Sequence, residues 1–162
     1  MRRLPSITLV IAATICFLCA CAAPAPQPLR SVYSLSDVQA ELGRAAQEHK
    51  QLMIKFVGST WCAPCHRLEE NVFATAAFRK ASARYRIVTA DYPPLEERTD
   101  DKIQANPQLA KLMVIKEHYD VPGFPTTIIL SADGKVRAKV VGHSTDSTSA
   151  YIARLAGRSR EG

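Results

Sequence analysis

The sequence predicts a single α/β domain, because helix-like and strand-like segments alternate along most of the chain. A nearly continuous apolar strand at 52–57 suits a central position covered on both faces. It is followed by the helix-like segment 67–80, and the hexapeptide Trp-Cys-Ala-Pro-Cys-His (61–66) stands at the turn between them. A later strand at 127–130 is joined through an Ala-Asp-Gly turn to a partner strand at 136–141.

Length, composition and charge agree with one globular domain. The chain has 162 residues, of which 47% are hydrophobic and 22% charged, and this suits one core once a leader is removed. The formal net charge of +6 includes Arg2 and Arg3 and falls to +4 without them. The remaining basic residues are scattered among acids and form no stripe with aromatics, so we expect no nucleic-acid binding.

The N-terminus has the composition of a secretory signal. Arg2 and Arg3 supply the positive region, and the apolar run 7–20 is too short for a comfortable membrane span. The sequence Leu-Cys-Ala-Cys (18–21) resembles a bacterial lipobox, although its second residue is atypical, and Cys21 would then carry the lipid. Ordinary signal cleavage beside Cys21, which would release a soluble protein, is the alternative.

We expect an exported protein on the periplasmic side of a bacterial membrane, held there by the lipid. Alternating prolines after Cys21 predict an extended spacer. The expected divisions are the signal peptide 1–20, the lipidated cysteine and tether 21–31, the folded domain 32–157 and the tail 158–162. Once the leader is removed and Cys21 acylated, Cys62 and Cys65 are the only thiols of the domain. In an oxidising compartment, two cysteines this close suit thiol–disulfide exchange better than stabilisation of the fold. A disulfide between them closes only a short loop and so removes little chain entropy.

Local patterns predict the remaining elements. A helix is expected from Ser36, which has capping-box spacing to Gln39. Residues 92–105 form a long polar connection, which we interpret as a functional or mobile loop. Other elements are expected as a strand at 84–91, a helix begun by Asn106 and Pro107, and a terminal helix at 147–156.

The hexapeptide has three interpretations when it is taken alone. Cys-x-x-Cys beside a βαβ pattern indicates a redox dithiol, and Cys-x-x-Cys-His indicates covalent c-type haem attachment. Two buried structural cysteines are the third interpretation. At a strand-to-helix turn, unsatisfied N–H groups and the helix dipole favour the thiolate form of a nearby thiol. Cys62 is therefore the expected reactive sulfur.

From about residue 32 to 156 the chain resembles the thioredoxin superfamily. The resemblance rests on Phe-Val-Gly-Ser-Thr-Trp-Cys-Ala-Pro-Cys (56–65) and on Gly-Phe-Pro-Thr (123–126), with a fitting strand pattern between them. It is strongest with exported thioredoxin-like domains. The resemblance implies a thioredoxin fold, with a central mixed sheet flanked by helices, and thiol–disulfide oxidoreductase activity that leans towards reduction.

The resemblance also assigns roles to residues. It implies that Cys62 attacks a substrate disulfide, that Cys65 resolves the mixed disulfide, and that the two cysteines form a disulfide when oxidised. Substrate would be bound by residues at the two motifs, namely Trp61, Phe124, Pro125 and Thr126. Pro125 would be a cis-proline facing the dithiol, the Phe124 backbone would hold an extended substrate segment, and Thr126 would only support them.

The proton path departs from the superfamily pattern. Reducing thioredoxins often carry a carboxylate beneath the dithiol on the central strand, whereas Lys55 occupies that position here. We expect Lys55 at an exposed end of its strand, and a buried, functional lysine is the alternative. Glu69, one helical turn beyond Cys65, is a candidate proton acceptor, although an ordinary solvated residue is the favoured interpretation.

Two other classes of protein stay open as alternatives. A haem protein would use both cysteines and His66, with a distal ligand from Met113, His118 or His143. A copper carrier would combine the two thiolates with a remote histidine such as His143. For the oxidoreductase we expect a monomer with no cofactor and no metal. Its partners would be exported protein disulfides and an upstream thiol–disulfide redox partner.

Overall fold

The structure is a computed structural model that describes residues 30–142 and 147–157. The predicted signal peptide, Cys21, most of the tether, His143 and the tail lie outside the described residues. No helix within the described ranges is long and apolar enough to cross a membrane.

Six helices and four strands lie within these ranges, and they include every predicted strand together with two helices, Ala76–Ala81 and Asp100–Ala105, that were not predicted as separate elements. Their bounds are α1 Leu35–Gln47, β1 Gln51–Val57, α2 Ala63–Leu68, α3 Ala76–Ala81, β2 Tyr85–Asp91, α4 Asp100–Ala105, α5 Pro107–His118, β3 Thr126–Leu130, β4 Val136–Val141 and α6 Thr148–Leu155.

The strands form one mixed sheet with the order β2-β1-β3-β4. Strand β1 runs parallel to β2 and antiparallel to β3, and β4 pairs antiparallel with β3. The register sets Phe56 of β1 opposite Thr126, the first residue of β3. The end of β1 therefore lies beside the entrance to β3. The predicted α/β architecture, with a mixed sheet flanked by helices, is confirmed.

Side chains of β1 pack alternately into two separate cores, because successive residues of a strand point to opposite faces of the sheet. Leu52, Ile54 and Phe56 pack with residues of α1 and α5 on one face of the sheet. Met53 belongs to the other core, with residues of α2, α3 and α6. Lys55 has the same parity as Met53, so it faces the layer that contains the dithiol helix.

The segment after the dithiol is not the single helix expected over 67–80. Helix α2 ends at Leu68, and a π-helical turn follows at Glu69–Phe73. Thr75 then caps α3, because its Oγ1 accepts a hydrogen bond from the Phe78 N–H at 3.1 Å. The side chain of Thr75 thus offers the backbone a new helix start.

Two further expectations need correction. The cap of α1 is Ser34 and not Ser36, because Ser34 Oγ accepts the Asp37 N–H at 3.2 Å. The connection 92–105 is not a structureless loop, since it contains a 3₁₀ turn at Leu95–Glu97 as well as α4. The helix start at Asn106 and Pro107 is confirmed: Asn106 caps α5 through its side-chain oxygen.

The chain joins the sheet before its first helix. Ser31 forms an isolated parallel bridge with Thr89 of β2. The Thr89 N–H donates to Arg30 O at 2.7 Å, and the Val32 N–H donates to Thr89 O at 2.9 Å. Residues 30–32 are therefore attached to the folded domain.

Candidate active site

The two cysteines lie at the first turn of α2, just beyond the C-terminal end of β1. Cys62 is the N-cap of α2, and Cys62 and Cys65 form a disulfide with Sγ atoms 2.05 Å apart. The Cys65 N–H donates to Cys62 Sγ at 3.3 Å. The same N–H also donates to Cys62 O at 2.9 Å, and its contact with the sulfur would stabilise a Cys62 thiolate.

Exposure does not distinguish the two cysteines. Cys62 is 3% exposed and Cys65 is 6% exposed. Hydrogen bonding does distinguish them, because within residues 30–142 and 147–157 only the Cys62 sulfur accepts a backbone N–H. The assignment of Cys62 as the attacking sulfur therefore depends on its place at the helix start.

The loop before the dithiol is built around Gly58. Its carbonyl oxygen accepts hydrogen bonds from the Trp61 N–H at 3.3 Å and from the Cys62 N–H at 2.9 Å. A Cβ atom on Gly58 would stand 2.2 Å from Trp61 Cε2, far inside van der Waals contact. The indole Nε1–H of Trp61 donates to Tyr92 O at 2.7 Å. Glycine is thus needed at position 58 so that the indole can lie flat against the loop.

Asp91 and His66 fix the same loop from both sides. The Asp91 carboxylate, at the end of β2, accepts hydrogen bonds from the Ser59 N–H at 2.8 Å and from the Ser59 hydroxyl. His66 Nε2 lies 2.7 Å from Ser59 O, which requires an N–H on that nitrogen. The sequence indicated an acidic strand end at Asp91, but not its contact with the dithiol loop.

The Gly-Phe-Pro-Thr motif meets the dithiol loop at this end of the sheet. The Phe124–Pro125 peptide bond is cis, as expected. The Phe124 and Trp61 rings make an edge-to-face contact with centroids 5.8 Å apart. Thr126 Oγ1 donates to Gly123 O at 2.7 Å, so Thr126 supports the motif. The structure therefore brings Trp61, Phe124 and Pro125 together beside the cysteines.

Arg98 completes this surface and was not found from the sequence. Its guanidinium carbon lies 5.4 Å from the Trp61 ring and 5.3 Å from the Phe124 ring, within cation–π range. It belongs to the connection between β2 and α4, which the sequence marked only as long and polar. No local pattern singles out one arginine there, because its partners are distant in the chain.

Lys55 is buried, so its expected place at an exposed strand end is wrong. The residue is 7% exposed in the middle of β1. Its ammonium group donates to Glu69 Oε2 at 2.5 Å and lies 4.4 Å from the Phe73 ring centroid. The Glu69 side chain is 55% exposed. Glu69 is thus partly solvated and also the counter-ion of a buried lysine, because the π-helical turn brings it over β1.

Two of the residues suggested as distal haem ligands, Met113 and His118, lie away from the dithiol. Met113 and His118 lie on α5, which packs against the face of the sheet opposite α2. The ring nitrogen Nε2 of His66 is engaged by Ser59 O. Within the described ranges no group of three or more histidine, cysteine or acidic side chains is arranged to hold a metal ion. His143 lies outside those ranges.

The part of the chain that forms this site matches a known family of proteins. A family model described as a thioredoxin-like domain matches residues 38–154, which include both motifs of the site. The chain belongs to this thioredoxin-like family. Membership explains why the Cys-x-x-Cys turn and the cis-proline loop occur together at one end of the sheet.

Individual relatives agree with the family. The chain is 27% identical over 115 residues to the disulfide bond reductase DsbH of Chlamydia pneumoniae, covering 70% of this chain and 65% of that protein. The chain thus spans about 65% of the length of this curated relative. A solved DsbH oxidoreductase is similar with a TM-score of 0.60 and 24% identity, over 80% of this chain and 83% of the other.

Two further solved structures share the fold. The oxidised C-terminal domain of Neisseria meningitidis DsbD matches with a TM-score of 0.56 and 14% identity, over 81% of this chain and 99% of that domain. A thioredoxin from Thermus thermophilus matches with a TM-score of 0.53 and 16% identity, over 81% and 87% of the two chains. These likenesses show that the chain has the thioredoxin fold.

Proposed function

We propose that the protein is an exported thiol–disulfide oxidoreductase that reduces disulfides of other exported proteins. The observation that carries the proposal is the Cys62–Cys65 disulfide at the start of α2, next to the aromatic pair Trp61 and Phe124. A disulfide at this position can be opened and remade without moving the strands of the sheet.

The proposed reaction has two exchange steps. In the reduced protein the Cys62 thiolate attacks one sulfur of a substrate disulfide, and the other substrate sulfur leaves as a thiolate that takes up a proton. Cys65 then loses its proton and attacks Cys62 Sγ. This step releases the second substrate thiol and forms the Cys62–Cys65 disulfide. Two electrons pass from the protein dithiol to the substrate.

Substrate binding is assigned to the loop of the cis-proline. The N–H and C=O groups of Phe124 make no hydrogen bond within the described part of the chain. Both groups are therefore available to an extended substrate segment, which would add to the loop as a strand adds to a sheet edge. Trp61 would contact the side chains beside the reacting disulfide, while Pro125 and Thr126 hold the loop in place.

Glu69 is the proposed proton acceptor for Cys65. The Glu69 N–H donates to Cys65 O within the same helical segment, so the two residues are one turn apart. Lys55 would hold the Glu69 carboxylate in place from below. Solvent reaches Glu69 on its other side, and the proton can leave by that route.

The reducing direction and the location rest on separate arguments. The name of the Chlamydia pneumoniae relative supports reduction, because it is a disulfide bond reductase. The leader composition and the lipobox resemblance support export and a lipid anchor at Cys21. We propose the divisions 1–20, 21–31, 32–157 and 158–162, with residues 30 and 31 at the end of the tether held against β2. We also propose a monomer and re-reduction by an upstream thiol–disulfide partner.

The activity is tested with insulin disulfides and the full-length protein in detergent. Cys62→Ser should abolish reduction, because the attacking sulfur is missing. Cys65→Ser should accumulate mixed disulfides, which non-reducing electrophoresis and mass spectrometry detect. Unchanged insulin reduction by the Cys62→Ser variant would reject the assignment. Equilibration with glutathione tests the direction, since a reductase should have a lower potential than the glutathione couple.

A further inference from the structure

Arg98 lies against the rings of Trp61 and Phe124 and makes no ion pair with an acidic side chain in the described part of the chain. Its Nε donates weakly to Pro94 O at 3.4 Å, and its two Nη groups make no hydrogen bond within the described residues. The ion pairs found in those ranges involve other cations, namely Arg44, Lys50, Lys55, Arg86, Lys135 and Lys139. The two Nη groups can therefore donate hydrogen bonds to the carboxylate of a bound ligand.

The surroundings of Arg98 favour such a ligand. Partial burial lowers the pKa of Arg98, and nearby Tyr92 and Glu96 raise it by less. Glu96 is exposed on the adjacent 3₁₀ turn and makes no ion pair with Arg98. A partly dehydrated cation gains more from an added counter-ion than a fully hydrated one does.

Arg98 lies close to the path that a bound substrate peptide would take. Its guanidinium lies within cation–π distance of the Trp61 ring, which precedes Cys62, and of the Phe124 ring, which precedes Pro125. A peptide lying between the dithiol and the cis-proline loop would pass close to this group. A planar guanidinium binds a carboxylate through two parallel hydrogen bonds, which makes it selective for acidic side chains.

We propose that Arg98 is a specificity-determining residue that favours disulfide substrates with a carboxylate side chain next to the reacting cysteine. This inference rests on the proposed oxidoreductase function. Arg98 acts through substrate binding and takes no part in the exchange of sulfur bonds. Charges at the edge of a binding surface mainly change the association rate.

The test uses pre-reduced full-length protein in detergent and blocked peptides joined as symmetrical disulfides. Three peptides carry Glu, Gln or Lys directly after the cysteine and are otherwise identical. Single-turnover rates are measured by acid quenching and chromatography, and each rate is divided by the rate of the same peptide with dithiothreitol. This division removes the effect of the neighbouring charge on the peptide disulfide itself.

We expect the normalised rate to be about threefold higher for Glu than for Gln and about tenfold higher for Glu than for Lys. Both ratios should shrink at high salt. Arg98→Gln should bring them close to one, while Arg98→Lys should retain only part of the preference, because an ammonium group keeps the charge but cannot form two parallel hydrogen bonds with a carboxylate. Arg137→Gln is the matched control, because Arg137 is an exposed cation near the other end of the sheet, and its ratios should equal those of the wild type.

Equal ratios in the wild type and in Arg98→Gln would overturn the proposal. A uniform loss of rate for all three peptides in Arg98→Gln would also overturn it, because Arg98 would then only hold the two rings in place. Failure of the wild type to reduce any peptide would reject the oxidoreductase function together with this inference. Equal reduction of all three peptides would reject the inference alone.

Discussion

Trp61 is the residue at which three distant segments meet beside the dithiol. Its ring lies against Gly58, its Nε1–H donates to Tyr92 O, and Phe124 and Arg98 contact its ring. Each contact restrains the indole from a different direction. A small change at any of these positions should therefore move a residue that flanks the reactive sulfur.

Gly58→Ala should displace Trp61, because the new Cβ would overlap the indole. We expect a loss of about 1–3 kcal/mol in the free energy of unfolding. Trp61 is the only tryptophan of the chain, so its fluorescence should shift to longer wavelength as the indole becomes more hydrated. Urea denaturation and emission spectra measure both effects.

Gly43→Ala is the matched control for this substitution. Gly43 lies inside α1, and a Cβ atom there would meet nothing within 4 Å. Alanine should stabilise the helix by about 0.5–1 kcal/mol and leave the emission spectrum unchanged. Equal stability changes for the two glycine variants would contradict the packing argument.

The ion pair of Lys55 and Glu69 predicts an asymmetry between its two partners. Lys55→Met leaves a half-exposed carboxylate that water can hydrate, so we expect a change of less than about 1 kcal/mol in the free energy of unfolding. Glu69→Gln leaves a buried ammonium without its counter-ion and should cost about 1–3 kcal/mol. Urea unfolding of the two oxidised variants at neutral pH compares these changes in free energy.

A larger loss for Lys55→Met than for Glu69→Gln would contradict this account of burial. The proposed catalytic role of Glu69 is tested by the rate at which the mixed disulfide is resolved. Because Glu69 is the proposed proton acceptor, Glu69→Gln should slow the attack of Cys65 on the mixed disulfide about tenfold or more. Formation of the mixed disulfide should proceed at the normal rate.

At the scale of elements, a charged network joins α1 to strand β2. Arg86 is 4% exposed and Glu41 is 7% exposed. Arg86 Nε donates to Glu41 Oε2 at 2.5 Å, and Arg86 Nη1 also pairs with Glu48. Arg44 donates to the second oxygen of Glu41. The network fixes the helix against the edge of the sheet, because breaking a buried pair leaves an uncompensated charge.

This network predicts sensitivity to acid. Burial raises the pKa of Glu41, but hydrogen bonds from Arg86 and Arg44 outweigh it and lower the pKa from the usual 4.5. Because the folded pKa lies below the unfolded value, the stabilisation is present above pH 4.5 and is lost as the pH falls through the folded pKa. Glu41→Gln should therefore cost about 3–5 kcal/mol near pH 6 and less near pH 3.

Urea denaturation at the two pH values measures this difference. Glu117→Gln on α5 is the control, because Glu117 is exposed and makes no ion pair within the described residues. It should change the free energy of unfolding by less than about 0.5 kcal/mol at either pH. An equal cost of Glu41→Gln at both pH values would argue against a charged role for Glu41.

At the scale of the whole molecule, the sheet topology assembles the site. The parallel pairing of β1 with β2 brings Asp91 and Tyr92 to the dithiol loop. The antiparallel pairing of β1 with β3 brings the cis-proline motif to the same end. Three loops from distant parts of the chain therefore meet at one end of the sheet.

The proposed lipid anchor predicts membrane association of the full-length protein. Buried acyl chains contribute about 0.8 kcal/mol for each CH₂ group, so several chains on Cys21 should hold the protein in the detergent phase after phase partitioning. Cys21→Ala should move it to the aqueous phase. Cys19→Ser is the control and should partition like the wild type. An aqueous wild-type protein would reject the anchor in favour of ordinary signal cleavage.

Elements with strong local patterns could be predicted with little error. The strand at 136–141 has the expected bounds, and Asn106 and Pro107 begin α5 as their capping chemistry requires. The predicted helix boundaries were wrong where a second capping residue competed. Ser34 rather than Ser36 caps α1, and Thr75 divides the segment 67–80.

By itself the sequence determined the α/β order of elements, the dithiol at a strand-to-helix turn and the cis-proline motif before β3, because each depends on neighbouring residues. Only the tertiary structure decided that Lys55 is buried against Glu69, that Asp91 holds Ser59, and that Arg98 covers Trp61 and Phe124. These contacts depend on strand register and on the π-helical turn. Each contact joins residues at least 14 positions apart in the chain, so no local pattern predicts it.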